Sequence, residues 1–150
     1  MNEARFWAKV REALNEPPFA MASKLSAEII AGTPDCLWAI DGKMGLLELK
    51  YEPTMPKREK TKVTCAVTAE QRRFLDRVAA TGNRAQVLLG IAKEWFLLEI
   101  HEVPEPDGPG APKVSRSTLD ACRRQGRSGT LKELSNLRAI LSASPDPVNG

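Results

Sequence analysis

The feature that most restricts the fold of this sequence is a pair of apolar segments joined by a turn signal. Residues 36–40 (CLWAI) and 45–49 (GLLEL) carry strand-forming side chains, and Asp41 and Gly42 lie between them. An Asp-Gly pair in this position favours a two-residue type I′ turn, because both central residues of that turn adopt a positive φ. We therefore predict a β-hairpin over residues 35–50.

Helical and strand periodicities on both sides of the hairpin predict the other elements of the fold. Asn2 is a suitable cap for a first helix, and Pro17 and Pro18 would end it. Residues 19–31 are ambiguous between a strand and a short helix. The other predicted elements are the first helix at 2–14, a loop at 51–67, a second helix at 68–80 and strands at 85–91 and 95–100. This order predicts an α/β fold, with helices packed on a mixed sheet.

The length and composition predict one domain with a short extension. The chain has 150 residues, and its 42% hydrophobic content is sufficient for a core. Residues 1–102 contain all the predicted core elements. Residues 103–150 begin with a Pro/Gly-rich linker and continue as a short helical C-terminal extension.

Charge and cysteine content restrict the partners and the compartment. A formal net charge of +3 permits a nucleic-acid partner without requiring one. No apolar run has the length of a membrane span, and the N-terminus lacks a signal-peptide core. The three cysteines form no CxxC pair, so neither a zinc site nor a disulfide framework is expected, and Cys36 is expected in the core. We predict a cytoplasmic protein with neither a membrane partner nor a small-molecule substrate.

The predicted hairpin brings three ionisable side chains to one face. Glu48 and Lys50 are two residues apart on one strand, so they share a face. With a two-residue turn, Ile40 pairs with Lys43. Counting outward then places Asp35 opposite Glu48, with Cβ atoms about 4.5–5.5 Å apart. A four-residue turn would instead oppose Asp35 to Lys50, and a three-residue turn would separate them.

This combination of residue types indicates metal-assisted chemistry on a phosphate. Two opposed carboxylates repel each other unless a cation lies between them. Oxygen ligands suit Mg²⁺, for which Mn²⁺ can substitute, and the backbone carbonyl of Leu49 would add a ligand. Lys50 would orient or deprotonate an attacking water, while the cation offsets charge that builds on the phosphate. Taken alone, Asp35, Glu48 and Lys50 also fit a solvated strand face with a cross-strand ion pair.

Features around the hairpin favour the catalytic interpretation. Residues 32–35 (GTPD) form a tight turn before the first strand of the hairpin. Glu3 lies within the apolar stripe of the first helix, where an inward carboxylate needs a partner, although a first-turn glutamate also stabilises the helix dipole. Gln71 lies on the apolar stripe of the second helix, although residues 68–71 (TAEQ) also form a capping box. Glu28 is the alternative source of the additional acid.

The segment 51–64 is rich in basic residues and leaves the strand that ends at Lys50. Its cations are Lys57, Arg58, Lys60 and Lys62. We expect this loop to bind DNA phosphates near the metal, because lysine and arginine contacts of this kind set affinity without reading sequence. An ordinary solvated loop is the alternative, and the arginines of the C-terminal tail would then be the phosphate contacts.

These residues give the sequence a resemblance to a known family. The segment GTPDCLWAIDGKMGLLELKYEP is followed by TAEQRRFLDRVAATG and then by RAQVLLGI. Together they resemble the PD-(D/E)XK nuclease superfamily and, within it, the VRR-NUC group of virus-type replication and repair nucleases. The resemblance covers roughly residues 1–100. It implies a restriction-endonuclease-like αβββαβ core with a mixed central sheet flanked by helices.

The resemblance also implies roles for five residues. Asp35 and Glu48 match the metal-binding carboxylates of the family, and Lys50 matches its catalytic lysine. Gln71 matches the helix glutamine that supports the site. Glu3 matches the glutamate of the first helix.

The activity that this family implies is Mg²⁺-dependent cleavage of DNA, often branched or flapped. Stand-alone members resemble homodimeric Holliday-junction resolvases, and the apolar strands at residues 85–100 are consistent with a homodimer. A non-catalytic DNA-binding or assembly module on a nuclease-like fold is the alternative from another functional class. A sequence-specific restriction nuclease is a third hypothesis, but that function usually needs additional recognition elements.

Overall fold

The computed structural model describes residues 1–15, 20–24, 32–106 and 108–143, with the backbone alone at 20–24. Its helices are α1 (Glu3–Leu14), α2 (Ala69–Ala80), α3 (Arg116–Arg124) and α4 (Ser135–Ala143). Its strands are β1 (Ala20–Lys24), β2 (Cys36–Ile40), β3 (Lys43–Glu52), β4 (Val63–Thr64), β5 (Arg84–Ile91), β6 (Glu94–Glu99), β7 (Lys113–Val114) and β8 (Ser128–Thr130). Two short 3₁₀ helices span Ile100–Glu102 and Leu131–Glu133. No helix within these ranges is both long and apolar enough to cross a membrane.

Six strands form one mixed sheet in the order β1-β2-β3-β5-β6-β8. The strands β3 and β5 are parallel, and the other neighbouring pairs are antiparallel. Helix α2 lies in the connection between β3 and β5, because a parallel pair requires a long crossover. The strands β4 and β7 form a separate antiparallel pair. The order α1-β1-β2-β3-α2-β5 confirms the predicted αβββαβ core, with a mixed central sheet flanked by helices.

The β2–β3 hairpin has the predicted turn and register. Asp41 and Gly42 have φ values of 49° and 78°, so both lie in the left-handed region that a type I′ turn requires. Ile40 pairs with Lys43 across the turn. Because side chains alternate along a strand, this register decides which residues share a face of the sheet.

The structure differs from the predicted elements near the ends of strands. β3 continues to Glu52, so Tyr51 and Glu52 belong to the strand and not to the predicted loop, because β5 extends the parallel ladder that far. Within the ambiguous segment 19–31, β1 pairs with β2, and residues 25–31 lie outside the described residues. The strands β4, β7 and β8 have only two or three residues each, which is too short for a periodicity to be visible.

Helices cover both faces of the sheet and bury two apolar cores. Phe6 of α1 and Leu137 of α4 lie in the first core, on one face. Leu75 of α2 and Leu119 of α3 lie in the second core, on the other face. Cys36 is fully buried in the first core, as predicted, and Trp38 and Trp95 are fully buried beside it.

The segment beyond residue 102 contributes side chains to both cores. Val114 and Cys122 are buried in the second core, and Leu134 and Leu141 are buried in the first. The strand β8 also extends the sheet by pairing with β6. The division at residue 102 into a nuclease core and an extension stays a prediction about domain organisation, and the described residues on both sides of it share buried surface.

Candidate active site

Strand β3 carries the two ionisable residues at the centre of the candidate site. Leu47 and Leu49 belong to the core beneath α1, so Glu48 and Lys50 alternate with them and point toward α2. The side chain of Glu48 is 1% exposed and that of Lys50 is 14% exposed. The Lys50 Nζ atom lies 3.4 Å from Glu48 Oε1, so the buried carboxylate has a cation beside it.

Asp35 reaches this pair from the start of β2. The backbone ladder between β2 and β3 ends where Cys36 pairs with Leu47. Asp35 and Glu48 are therefore the next residues outward, as the hairpin register predicts. The Asp35 Oδ2 atom accepts a hydrogen bond of 2.9 Å from the Leu49 backbone amide. This bond holds the carboxylate against β3 and satisfies an amide that lies beyond the end of the ladder.

The glycine of the GTPD segment allows the turn before Asp35 to pack against the start of α2. Gly32 has a φ of 83°, and a Cβ atom at this position would lie 2.4 Å from the Glu70 carbonyl oxygen. It would also lie 2.9 Å from the Gln71 backbone nitrogen. Any side chain would therefore force the turn and the helix apart, and the positive φ adds strain for residues other than glycine.

Gln71 caps α2 and contacts the candidate site at the same time. Its Oε1 atom accepts from the Thr68 backbone amide at 2.9 Å, and Thr68 Oγ1 accepts from the Gln71 amide at 3.1 Å. The Gln71 Nε2 atom donates to Glu48 Oε1 at 2.8 Å. Gln71 can therefore belong to the capping box and to the candidate site at once, because an amide side chain has both an acceptor and a donor end.

The surroundings of Glu48 oppose its ionisation. Burial first, and then the neighbouring Asp35 carboxylate, raise the pKa of Glu48 to about 8, and Lys50 offsets only part of this shift. The Glu48 Oε2 atom is buried and has no hydrogen-bond partner among the described residues. An unsatisfied carboxylate oxygen close to a second carboxylate is unfavourable in a low-dielectric site, and a cation at this point would relieve it.

The chemistry of these donors fits a hard divalent cation. Asp35 and Glu48 offer carboxylate oxygens, which Mg²⁺ and Mn²⁺ prefer. Within the described ranges, no three His, Cys, Asp or Glu side chains are grouped closely enough to hold a metal. Two carboxylates are sufficient for Mg²⁺, which commonly keeps several waters beside one or two carboxylate ligands. The Leu49 carbonyl stays a predicted further ligand.

Glu3 lies near the site but is not buried as the helical pattern predicts. It is exposed, because the first residue of α1 that reaches the core is Phe6. Glu3 nevertheless lines a cavity of about 240 Å³ together with Asp35 and Leu49. Its role as an additional acid therefore stays a prediction, and the alternative acid, Glu28, lies outside the described residues.

Two neighbours of the site have no signal in the sequence that identifies them. Trp7 lines the same cavity as Asp35, whereas its helical spacing indicates only a core position. Cys65 lies within electrostatic reach of Lys50 and Glu48, and burial raises the pKa of its thiol to about 12. The Cys65 side chain therefore stays a neutral thiol at physiological pH and is part of the second core.

The basic loop between β3 and β4 is largely exposed, and Met55 near its start packs against the second core. Its cationic residues Lys57, Arg58, Lys60 and Lys62 are all exposed. The Arg116 guanidinium of α3 donates to the Pro56 carbonyl oxygen and holds the loop. Two other arginines of the C-terminal segment are engaged within the protein, because Arg123 pairs with Glu94 and Arg127 pairs with Glu102. These ion pairs make the tail the weaker candidate for phosphate contacts.

Comparison with known proteins gives a likeness in fold. No protein-family model matches the sequence, and no curated protein matches it. Among solved structures, the chain is similar to Hjc of Archaeoglobus fulgidus, a Holliday junction resolvase from an archaeal hyperthermophile. The TM-score is 0.52 at 14% sequence identity, and the match covers 79% of this chain and 89% of Hjc. The chain therefore has the restriction-endonuclease-like fold that the sequence predicts.

Proposed function

We propose that this protein is a metal-dependent DNA endonuclease that hydrolyses phosphodiester bonds in branched, flapped or Holliday-junction DNA. The observation that carries the proposal is the buried Glu48 carboxylate, which Gln71 and Lys50 contact beside Asp35. A carboxylate that is buried, short of hydrogen bonds and adjacent to another acid is characteristic of a functional site. The fold shared with a Holliday junction resolvase supports DNA, and branched DNA in particular, as the substrate.

Each residue of the site has a distinct part in this hydrolysis. Asp35 and Glu48 would hold Mg²⁺, or Mn²⁺ in its place, and the Leu49 carbonyl would complete the protein ligands. When bound, the cation offsets the negative charge that develops on the phosphate and favours ionisation of a water. Lys50 Nζ, beside Glu48 Oε1, orients the attacking water and helps to remove its proton. Gln71 fixes the orientation of the Glu48 carboxylate through its Nε2 donor.

Two finer assignments rest on resemblance and position. Membership of the VRR-NUC group is supported by the motif residues alone, because the structural similarity to a resolvase supports the fold and not this narrower group. Glu3 is the proposed additional acid, because it lines the cavity that contains Asp35. The cytoplasmic location that the sequence predicts is likewise a proposal.

The proposed function predicts cleavage that depends on a divalent cation. Purified protein is incubated with a labelled four-way junction, a linear duplex and a single strand, each in Mg²⁺, in Mn²⁺ and in EDTA. We expect products from the junction in Mg²⁺ or Mn²⁺ and none in EDTA, because the two carboxylates alone cannot offset the charge of the transition state. Cleavage that persists in EDTA would contradict the metal-dependent mechanism.

The alternative function is a non-catalytic DNA-binding or assembly module on the same fold. It would bind the junction and cleave none of the substrates with either cation. The structure favours the nuclease, because an inactive module has no need for a buried carboxylate that raises the energy of the fold. Tight junction binding without cleavage in the same experiment would select the alternative.

The basic loop predicts a strong salt dependence of DNA binding. Alanine at Lys57, Arg58, Lys60 and Lys62 should make the slope of log K against log salt less negative by about two to four units. Each lost phosphate contact reduces the magnitude of this slope by roughly one unit. The loss should be similar for different DNA sequences, because no base is read. A control removes the same number of positive charges from exposed positions elsewhere, namely Arg11, Arg73, Arg77 and Arg124. Equal slopes for the two variants would exclude the loop as a phosphate clamp.

The proposed function also predicts a homodimer. Two symmetric active sites suit a branched substrate with two equivalent strands. Light scattering at micromolar concentration, with and without junction DNA, should give the mass of two chains. A monomer under both conditions would contradict this prediction. It would not affect the proposed chemistry of the active site within one chain.

A further inference from the structure

A cavity lined by basic residues opens on the opposite face of the sheet from Glu48 and Lys50. It has a volume of about 740 Å³ and lies where β3 ends. Three lysines line it from three separate elements, with Lys9 from α1, Lys93 from the β5–β6 turn and Lys132 from the second 3₁₀ helix. No acidic side chain is among the described residues that line it. The function described above uses none of these lysines.

Tyr51 lines the cavity and is held in place by neighbouring residues. The Tyr51 hydroxyl donates to the Ala92 carbonyl oxygen at 2.8 Å, and the Tyr51 ring packs on Phe6 with centroids 5.6 Å apart. Gly90 pairs with Tyr51 across the sheet and makes room for this contact, because a Cβ atom there would lie 2.7 Å from the Tyr51 ring. The position of Tyr51 is therefore set by the fold.

The backbone also holds two of the lysines close together. The Leu131 amide donates to the Lys93 carbonyl oxygen at 2.8 Å, which fixes the residue before Lys132 against the β5–β6 turn. The Ala92 amide donates to the Glu52 carbonyl oxygen at 2.8 Å, which fixes the same turn to the end of β3. These bonds hold the backbone at Lys93 next to that of Leu131, the residue before Lys132.

The charges of the three lysines are not neutralised by ion pairs with the described residues. Lys9, Lys93 and Lys132 are all exposed, and none forms an ion pair within the part of the chain that the structure describes. Three ammonium groups around one concave surface repel each other and create a positive potential. Such a surface attracts a ligand with several negative charges. Lysines bind phosphate as point charges without the directional fork that arginine uses to read a base.

The position of the cavity connects it to the basic loop. Pro53 lines the cavity and is also the first residue of the segment that leads to the loop cations. Tyr51 directly follows Lys50 on β3, and successive residues of a strand point to opposite faces. The second basic surface is therefore adjacent to the candidate active site along the chain and faces the other side of the sheet.

We propose that Lys9, Lys93 and Lys132 bind the backbone phosphates of DNA outside the cleaved region, so that the basic surface continues from the loop around the end of β3. This inference rests on the proposed function, because it takes DNA as the substrate. The cavity sets affinity and position, and it does not take part in the chemistry at Asp35 and Glu48.

The test measures binding of the whole chain to a labelled four-way junction in EDTA, over a range of salt concentrations. The variant Lys9→Gln/Lys93→Gln/Lys132→Gln keeps most of each side chain and removes three charges. For this variant, we expect the slope of log K against log salt to be less negative than that of the native chain by roughly two to three units. The matched arginine variant, Lys9→Arg/Lys93→Arg/Lys132→Arg, should keep the slope of the native chain.

A control variant with alanine at Arg73, Arg77 and Arg124 removes the same number of charges from exposed positions elsewhere. If the glutamine variant and this control have equal slopes, the inference is overturned. Junction binding by the native chain would in that case still support the proposed function. Absence of junction binding by the native chain would overturn both. Lysine acetylation of the native chain gives a readout without substitutions. DNA should protect Lys9, Lys93 and Lys132 from acetylation, and equal labelling of these lysines with and without DNA would overturn the inference.

Discussion

Asp35→Asn and Glu48→Gln are each expected to reduce junction cleavage by several orders of magnitude while leaving DNA binding largely intact. Both substitutions keep the size of the side chain and remove the negative charge that would hold the cation. Lys50→Ala should reduce cleavage similarly with little change in metal affinity, because Lys50 acts on the water and does not bind the metal. Single-turnover cleavage and junction affinity are measured on the same preparations.

The matched control for these variants is Glu12→Gln. Glu12 is exposed on the polar face of α1, so its replacement changes the net charge by the same amount without touching the site. This control should cleave as the native chain does. Full activity in Asp35→Asn would show that the assignment of the active site is wrong, even if the fold and the DNA binding are as proposed.

In EDTA, the stability of the native chain is expected to fall as the pH rises from about 4.5 to about 8 because of Glu48. The pKa of Glu48 is raised from 4.5 to about 8, with burial as the largest cause and the Asp35 carboxylate next. The folded state therefore retains a proton that the unfolded chain releases in this window. The contribution of Glu48 to the free energy of unfolding is fully present below pH 4.5 and is lost as the pH rises through the pKa of the folded state.

The size of this effect is on the order of a few kcal/mol, because each unit of pKa shift corresponds to about 1.4 kcal/mol. Urea unfolding at several pH values is compared between the native chain and Glu48→Gln, since titrating groups that do not interact with Glu48 contribute equally to both. The stability difference between the two proteins should change in favour of Glu48→Gln as the pH rises. Adding Mg²⁺ should reduce the loss in the native chain, because a bound cation favours the ionised carboxylate.

A stability difference that stays constant from pH 5 to pH 8 would contradict the buried position of Glu48. The same result would remove the main support for a cation at this point. A stability difference that depends on pH but not on Mg²⁺ would support the buried position of Glu48 and contradict metal binding at this carboxylate. The stability measurement therefore examines the site without depending on catalytic activity.

Local features of the sequence were sufficient to predict the centre of the candidate site. The Asp41–Gly42 pair favours a two-residue turn with positive φ, and the structure has this turn and the register that brings Asp35 next to Glu48. The alternation of side chains along β3 then places Lys50 on the same face as Glu48. The helix cap at Gln71 is equally local, because a capping box depends on residues three positions apart.

The second contact of Gln71 depended on tertiary structure. The capping pattern predicts the bond to Thr68, but the bond to Glu48 exists because the crossover returns α2 over β3. The burial of Glu48, which raises its pKa, arises in the same way. A sequence pattern can favour an inward side chain, but only the packed helix excludes water from it.

Long-range packing also decided the outcomes that the sequence pattern did not predict. Glu3 has the helical spacing of a buried residue, but it lies in the first turn of α1, beyond the edge of the core, and is exposed. The strand β8 is too short to have a visible period and exists because β6 offers it an edge. Helix periods and turn chemistry act over a few residues and can be read from the sequence. The convergence of Lys9, Lys93 and Lys132 joins positions that are far apart in the chain, so only the tertiary structure decided it.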